Sequence, residues 1–203
     1  MIRKALLPAL AALLLAAPGA AMAAENSLIT AFKTMCEATG GTLKKTVAAA
    51  DAAGWAPVPD AMIADSMTAM GEMKVQEMAS RVMVIDRRFV AVVVGVGEMD
   101  QGDSVMEASL CGVVTFADGD TGLRPAALAY IGARPVPNND PEMKAFDMWV
   151  YVDGPQGREY FTSLESMKVV RAMLDGKLNM LMVGEDEGMA MIMHMRPIMA
   201  EKN

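Results

Sequence analysis

Residues 81–97, RVMVIDRRFVAVVVGVG, decide the fold of this chain. The two runs at 81–85 and 89–96 are rich in valine and isoleucine, which favour β-strands. Asp86 and Arg87 separate the runs with polar side chains, and this pattern predicts a β-hairpin. The hairpin places an antiparallel pair of strands near the middle of the chain.

Further strands are predicted on the C-terminal side of this hairpin. Residues 110–116 form one strand. Residues 148–152 and 158–162 form a second hairpin around a turn that contains glycine and proline. Residues 189–195 alternate between two faces as a last strand. The sheet is therefore expected to be largely antiparallel.

Helices are predicted mainly before the first hairpin. One is capped by Asn26-Ser27 and keeps an apolar stripe on one face. A second begins after the cap residue Thr42 and ends before Gly54, and a third begins at Asp60. Shorter helices are predicted at residues 123–131 and 166–174. This order predicts an α+β fold, with N-terminal helices packed on a largely antiparallel sheet, in a single domain over residues 24–203.

The first 23 residues have the three parts of a secretory signal peptide. Arg3 and Lys4 form the positive n-region, residues 5–17 are apolar, and residues 21–23 read Ala-Met-Ala, which suits a signal peptidase. The apolar stretch is shorter than the ~20 residues of a membrane-spanning helix. We therefore expect cleavage after residue 23 and a soluble mature protein that is periplasmic or secreted. A retained membrane anchor is the alternative.

Charge and hydropathy exclude two classes of partner. Loss of Arg3 and Lys4 on cleavage changes the formal net charge from −7 to −9, and such a protein repels phosphate backbones. No cluster of Lys and Arg with interleaved aromatic residues offsets this, so nucleic-acid binding is not expected. The longest remaining apolar run, residues 89–97, is too short to span a bilayer after signal cleavage.

Cys36 and Cys111 are the two cysteines, and both lie in the mature region. An exported protein meets an oxidising environment, and the long separation excludes a C-x-x-C redox pair. We predict one structural disulfide between them. The alternative, a pair of thiolate metal ligands, lacks further cysteines or clustered histidines to complete the site.

A segment near the predicted mature N-terminus carries a family resemblance. It contains Phe32-x-x-x-Cys36-x-x-Thr39-x-Gly41, followed by the AADAAGW stretch at residues 49–55. This pattern resembles the opening of small exported bacterial proteins of unknown function. The resemblance implies export and the pairing of Cys36 with a later cysteine, and it implies no activity.

His194 is the only histidine and the obvious candidate for acid–base chemistry. No G-x-S-x-G motif supplies a nucleophile, and Ser163 and Ser166 lack any catalytic context. We therefore predict no catalytic residue and expect His194 to be an ordinary strand residue that faces solvent or a polar edge. Asp118-x-Asp120-x-Gly122 is similar to the start of a calcium loop, but its later positions carry no ligands, which predicts a turn. No cofactor-binding motif is identified.

Methionine is the compositional outlier, with 22 residues of 203. Thioethers prefer soft Cu(I). Alternation along a strand would place four methionines on one face and His194 on the other. The alternatives are that methionine fills gaps in an aromatic-poor core, or that it forms an adaptable apolar surface for ligands. The four candidate ligands are Met189, Met191, Met193 and Met195.

These observations predict an exported, non-enzymatic domain that binds an unknown protein partner or small ligand. Catalysis is left open, because a triad can assemble from residues that lie far apart in the sequence. The alternative function is periplasmic Cu(I) binding through the C-terminal methionines.

Overall fold

The structure is a computed structural model, and it describes residues 26–58, 73–100, 105–116, 120–137, 144–186 and 188–198. The predicted signal peptide and the predicted helix that begins at Asp60 lie outside the described residues. The described elements follow in chain order. They are α1 (Ser27–Phe32) with a π-helical turn (Lys33–Glu37), α2 (Leu43–Ala52), β1 (Ala56–Pro57), β2 (Met73–Ile85), β3 (Arg88–Asp100), β4 (Val105–Phe116), α3 (Leu123–Ile131), β5 (Phe146–Gly154), β6 (Gly157–Tyr160), α4 (Met167–Leu174), β7 (Asn179–Asp186) and β8 (Met189–Pro197).

The eight described strands form one sheet in the order β1-β2-β3-β4-β8-β7-β5-β6, and every neighbouring pair is antiparallel. The predicted α+β class with an antiparallel sheet is therefore confirmed. The helices are not all N-terminal, which corrects the predicted arrangement. The strands β4 and β5 are consecutive in sequence, but β8 and β7 lie between them in the sheet. Likewise, β6 and β7 are consecutive in sequence, but β5 lies between them in the sheet. These arrangements need longer connections, and α3 and α4 lie within them.

One face of the sheet is covered by α1, α2 and α3. The helix α1 packs on β4 and β8, α2 packs on β2 and β3, and α3 packs on β7. Alternate strand residues such as Val92, Val113 and Ile192 join Ile29 and Phe32 of α1 in one buried apolar cluster. Burial of this area supplies most of the favourable free energy of folding.

The opposite face of the sheet is also apolar. Its centre is a cluster of strand residues that includes Val93, Leu110 and Met193. At the β5 end of this face, Val169 and Ala172 of α4 pack in a further apolar cluster. We call this side of the sheet the methionine face. Because both faces are apolar, strand alternation does not separate buried from exposed positions here.

The Cys36–Cys111 disulfide fastens the π-helical turn to β4. The sulfur atoms are 2.04 Å apart, the Cα atoms are 5.5 Å apart, and both residues are buried. Gly41 lies against this bridge with φ +64°, and a Cβ at Gly41 would be 3.2 Å from Cys111 Cβ. The predicted disulfide is confirmed. None of the helices among the described residues is long and apolar enough to cross a membrane.

The two N-terminal helix caps differ in outcome. The Asn26 side chain accepts a hydrogen bond from the backbone N–H of Leu28 at 3.0 Å, as predicted. Thr42 precedes α2, but its hydroxyl donates to the Thr39 carbonyl at 3.4 Å and does not cap the helix. The predicted side-chain cap at Thr42 is therefore wrong, although the helix itself begins where it was expected.

Candidate functional site

His194 lies on the helix-covered face of β8 and is only 2% exposed. The expectation that it faces solvent or a polar edge is wrong, because α1 covers this position and Phe32 contacts the imidazole edge-on. The Tyr151 hydroxyl lies 2.5 Å from His194 Nε2, and Arg196 Nε donates to the same nitrogen at 3.2 Å. Arginine can only donate, so Nε2 carries no hydrogen and Tyr151 also donates to it. The imidazole is therefore neutral, with its proton on Nδ1.

Burial controls the protonation of this cluster. It lowers the pKa of His194 to about 3, and the charges of Arg196 and Arg158 act in the same direction. Burial also raises the pKa of Tyr151 to about 12, against the opposing charges of the two arginines. At neutral pH both side chains are uncharged. The lone pair of His194 Nε2 already accepts hydrogen bonds from Tyr151 and Arg196. A general base needs a free lone pair and a pKa near the working pH, and His194 has neither.

A second group of polar side chains adjoins Tyr151. Arg158 Nη2 donates to Glu37 Oε1 at 2.7 Å, and its guanidinium lies 4.8 Å from the centre of the Tyr151 ring. Glu37 also accepts a hydrogen bond from the Tyr130 hydroxyl. Burial and this carboxylate both raise the pKa of Tyr130. The π-helical turn thus directs Cys36 and Glu37, which are adjacent in sequence, towards β4 and β6 respectively.

The strand β8 presents its methionines on the side opposite His194. Met191 and Met193 belong to the buried cluster of the methionine face, and Met189 packs against it, which agrees with the predicted alternation. Met191 and Met193 are 2% and 5% exposed, whereas Met189 and Met195 are half-buried. A Cβ at Gly112 would lie 3.2 Å from Met193 Cβ, so Met193 packs directly over this glycine of β4.

Neighbouring strands add further methionines to this face. In the register of β7 with β8, Met180 pairs with Met195 and Met182 pairs with Met193. In the register of β5 with β7, Met148 pairs with Met182. Met182 is 8% exposed, and Met148 and Met180 are half-buried. Thioethers from three adjacent strands therefore lie side by side, and Met180 and Met182, the methionines nearest to β8 in sequence, come from a neighbouring strand.

Three large apolar side chains are exposed together at one end of the methionine face. Val84, Phe89 and Phe116 are 60%, 67% and 59% exposed, respectively. Val84 pairs with Phe89 across β2 and β3. Val90 pairs with Thr115 across β3 and β4, which places Phe116 beside Phe89 at the next position of the ladder. We call Val84, Phe89 and Phe116 the apolar row. The sequence pattern places Phe89 in a strand but does not indicate that its side chain is exposed.

The remaining candidates have local structural roles. Ser166 caps α4 by accepting from the backbone N–H of Lys168 at 3.2 Å, and Ser163 accepts from the N–H of Glu165 at 3.2 Å. In the predicted turn, Asp120 Oδ1 accepts from the Gly122 N–H at 2.7 Å. Within the described ranges, no group of three or more His, Cys, Asp or Glu side chains could hold a metal ion.

Comparison with known proteins finds no match for this chain among family models, curated proteins or solved structures. The resemblance of residues 32–55 to small exported bacterial proteins therefore stays a prediction.

Proposed function

We propose that this chain is an exported, non-enzymatic domain that binds a protein partner through the apolar row. The observation that carries the proposal is the exposure, at 59–67%, of Val84, Phe89 and Phe116 on three adjacent strands. The chain has only five phenylalanines, and two of them lie next to each other in this exposed row. Contiguous exposed apolar patches mark interaction sites, whereas single exposed apolar side chains are ordinary surface.

The shape of this surface favours a protein over a small ligand. Small-molecule sites are concave and bury most of the ligand surface. The apolar row lies at one end of the methionine face, and each of its side chains is more than half exposed. Exposed aromatic side chains of this kind match the core of a protein–protein interface, in which aromatic residues are enriched. A second copy of this chain, a different protein and a small ligand are distinguishable outcomes of the test below.

Two further observations support the cellular part of the proposal. A buried disulfide is typical of proteins that fold in an oxidising compartment. The charged, apolar and small-residue segments of residues 1–23 are typical of an export signal. The proposal of a non-enzymatic role is supported by His194 and Tyr151, whose titrating atoms are bonded to each other and held neutral.

The test is native mass spectrometry of the protein purified from its own compartment, for three matched chains. These are the wild type, a Phe89→Thr/Phe116→Thr variant and a Met167→Gln/Leu174→Gln control. The control also removes exposed apolar side chains, because Met167 and Leu174 of α4 are 78% and 79% exposed. The proposal expects a stoichiometric protein adduct with the wild type and the control but not with the Phe89/Phe116 variant. An adduct that survives in all three chains, or a bound small molecule instead of a protein, would contradict it.

Cu(I) binding is a second candidate, favoured by the paired methionines of β7 and β8. Along one strand, alternate residues are about 6.6–6.8 Å apart, which is too wide for Met189, Met191, Met193 and Met195 to share one ion. Directly opposed residues on paired strands have Cβ atoms about 4.5–5.5 Å apart. Met182 and Met193 are such a pair. Burial of both side chains favours core packing, and a competition titration of leucine variants, described in the Discussion, decides between the two roles.

A further inference from the structure

A row of polar residues crosses the helix-covered face beside His194. In the register of β5 with β7, Tyr151 pairs with Asn179, and in the register of β4 with β8, Ser109 pairs with Arg196. Met180 pairs with Met195 across β7 and β8, so Asn179 and Arg196 are neighbours at the next position. Four strands therefore contribute adjacent polar side chains to this face, beside its apolar cluster. Polar groups buried in this way call for a chemical explanation.

Two members of this row have donors to spare. Among the described residues, the Arg196 guanidinium is in no ion pair. It has five N–H groups, and its hydrogen bonds to His194 and to the Tyr151 hydroxyl do not use all of them. Within the same described ranges, the Ser109 hydroxyl is in no hydrogen bond. Both residues are half-buried, so they are reachable from solvent yet partly desolvated. A guanidinium in such a setting gains more from an anionic partner than one in bulk water.

The charges around Arg196 leave it without a dedicated counter-ion. Glu37 is 2.7 Å from Arg158, and this pair neutralises itself. Asp153 lies 4.0 Å from Arg158 Nε, accepts from the Asn179 amide at 3.3 Å, and has a side chain that is 59% exposed. Arg158 and Arg196 are therefore balanced in number by Glu37 and Asp153, but among the described residues both carboxylates pair with Arg158 and neither with Arg196.

We propose that Arg196 and Ser109 form a binding site for the carboxylate of a small monoanionic ligand. The planar guanidinium matches a carboxylate in a bidentate arrangement, and the neighbouring hydroxyl adds a neutral donor. His194 accepts from Nε and Tyr151 also hydrogen-bonds the guanidinium, so these two contacts hold Arg196 in place while N–H groups remain for the ligand. Arg196 is a single cation without an ion pair, and the Glu37 and Asp153 carboxylates belong to the same cluster, which favours a monoanion over a dianion. This site lies on the opposite face of the sheet from the apolar row and is independent of the proposed partner.

The test follows the Nε–Hε resonance of Arg196 by NMR while acetate is added at constant ionic strength, with inorganic phosphate in a parallel titration. We expect a saturable shift with acetate and a weaker response to phosphate. An Arg196→Gln variant should weaken acetate binding at least about tenfold, followed through neighbouring backbone amides, which corresponds to about 1.4 kcal/mol. The charge-matched control Arg171→Gln, at an exposed position of α4, should bind acetate as the wild type does.

A Ser109→Ala variant tests the site even if Arg196→Gln fails to fold, because it leaves the contact between Arg196 and His194 intact. It should weaken acetate binding about fivefold, the equivalent of one hydrogen bond of about 1 kcal/mol. A linear, unsaturable response to acetate would overturn the site. Unchanged affinity in Ser109→Ala, equal losses in the Arg196 and Arg171 variants, or tighter binding of phosphate than acetate would also overturn it.

Discussion

The Tyr151 hydroxyl and His194 Nε2 lie 2.5 Å apart beneath α1, and this contact fixes the charge state of the only histidine in the chain. Arg196 donates to the same nitrogen, so a proton on Nε2 would face a cationic donor at 3.2 Å. The neutral imidazole is thus built into the fold by geometry as well as by burial. Because the fold requires a neutral His194, the free energy of unfolding should depend on pH.

We expect the folding stability to fall as the pH is lowered from about 6.5 towards 3. The unfolded chain takes up a proton on His194 near its ordinary pKa of 6.5, whereas the folded chain resists protonation down to a pKa of about 3. In this window the unfolded state binds more protons, so the free energy of unfolding decreases with falling pH, by up to about 1.4 kcal/mol per pH unit. Urea unfolding at pH 7, 6, 5 and 4 measures this slope.

The matched variant is His194→Gln, which keeps a side-chain acceptor for Tyr151 and Arg196 but does not titrate. Carboxylates contribute to the slope in both chains, and the difference between the two chains isolates His194. Parallel pH profiles for wild type and variant would contradict the assignment of this slope to His194.

The disulfide should be the largest single contribution to stability among the named contacts. Cys36 and Cys111 are 75 residues apart in sequence, and closing such a loop contributes about 4–5 kcal/mol in the chain-entropy model. A Cys36→Ala/Cys111→Ala variant should lose about 2–5 kcal/mol of unfolding free energy, measured by urea denaturation. Non-reducing peptide mapping of exported wild-type protein should recover the linked pair, and two alkylatable thiols in folded material would contradict this.

Processing is expected after residue 23. N-terminal sequencing of protein from its native compartment should begin at or near Ala24. Recovery of peptides from the segment between Met1 and Ala23 in folded, exported material would be inconsistent with a cleaved signal.

Glu185 anchors the start of α3 from a distant strand. Its Oε1 accepts from the backbone N–H groups of Thr121 and Leu123, both at 3.2 Å, and from the Thr121 hydroxyl. It therefore satisfies donors that a helix N-terminus leaves unpaired. Glu185→Ala should destabilise the domain by about 2 kcal/mol, and Glu185→Gln by less, because the amide oxygen still accepts. Equal stability of all three chains in urea denaturation would refute this role.

The contacts of Glu185 and His194 could not be predicted from the sequence. Local patterns were sufficient for the β2–β3 hairpin, for the helix over residues 123–131 and for the disulfide, because each depends on short-range propensity or on the only available partner. Glu185 has no local partner that would indicate its role, because the backbone groups it binds lie more than 60 residues away in sequence. No spacing rule connects such positions.

Strand alternation also has a limit in this chain. It placed Met193 and His194 on opposite faces of β8, as the structure does. It could not show that both faces are covered, so the burial of His194 was missed. The strand β7 alternates methionine with leucine and valine and has no polar side to mark its bounds, so the exact register of Met182 with Met193 came only from the structure.

Leucine substitutions in the methionine face distinguish two roles of the thioethers, core packing and Cu(I) binding. If Met182 and Met193 only fill the core, leucine replaces them at nearly equal volume and apolarity, and the free energy of unfolding should change by less than about 1.5 kcal/mol. If they bind Cu(I), the Met182→Leu/Met193→Leu variant loses two soft donors at once. The measurement is titration with Cu(I) against a competing chelator, with urea denaturation of the same chains as the folding control.

Two comparison variants sharpen the copper result. Met191→Leu/Met193→Leu tests ligation along β8, whereas Met182→Leu/Met193→Leu tests ligation across the β7–β8 pair. Because Met191 pairs with Gly184 and not with another methionine, the cross-strand geometry expects the second variant to lose more Cu(I) than the first. A larger loss from the first would favour ligation along the strand. Equal and negligible retention of Cu(I) by the wild type and both variants would leave these methionines as core packing alone.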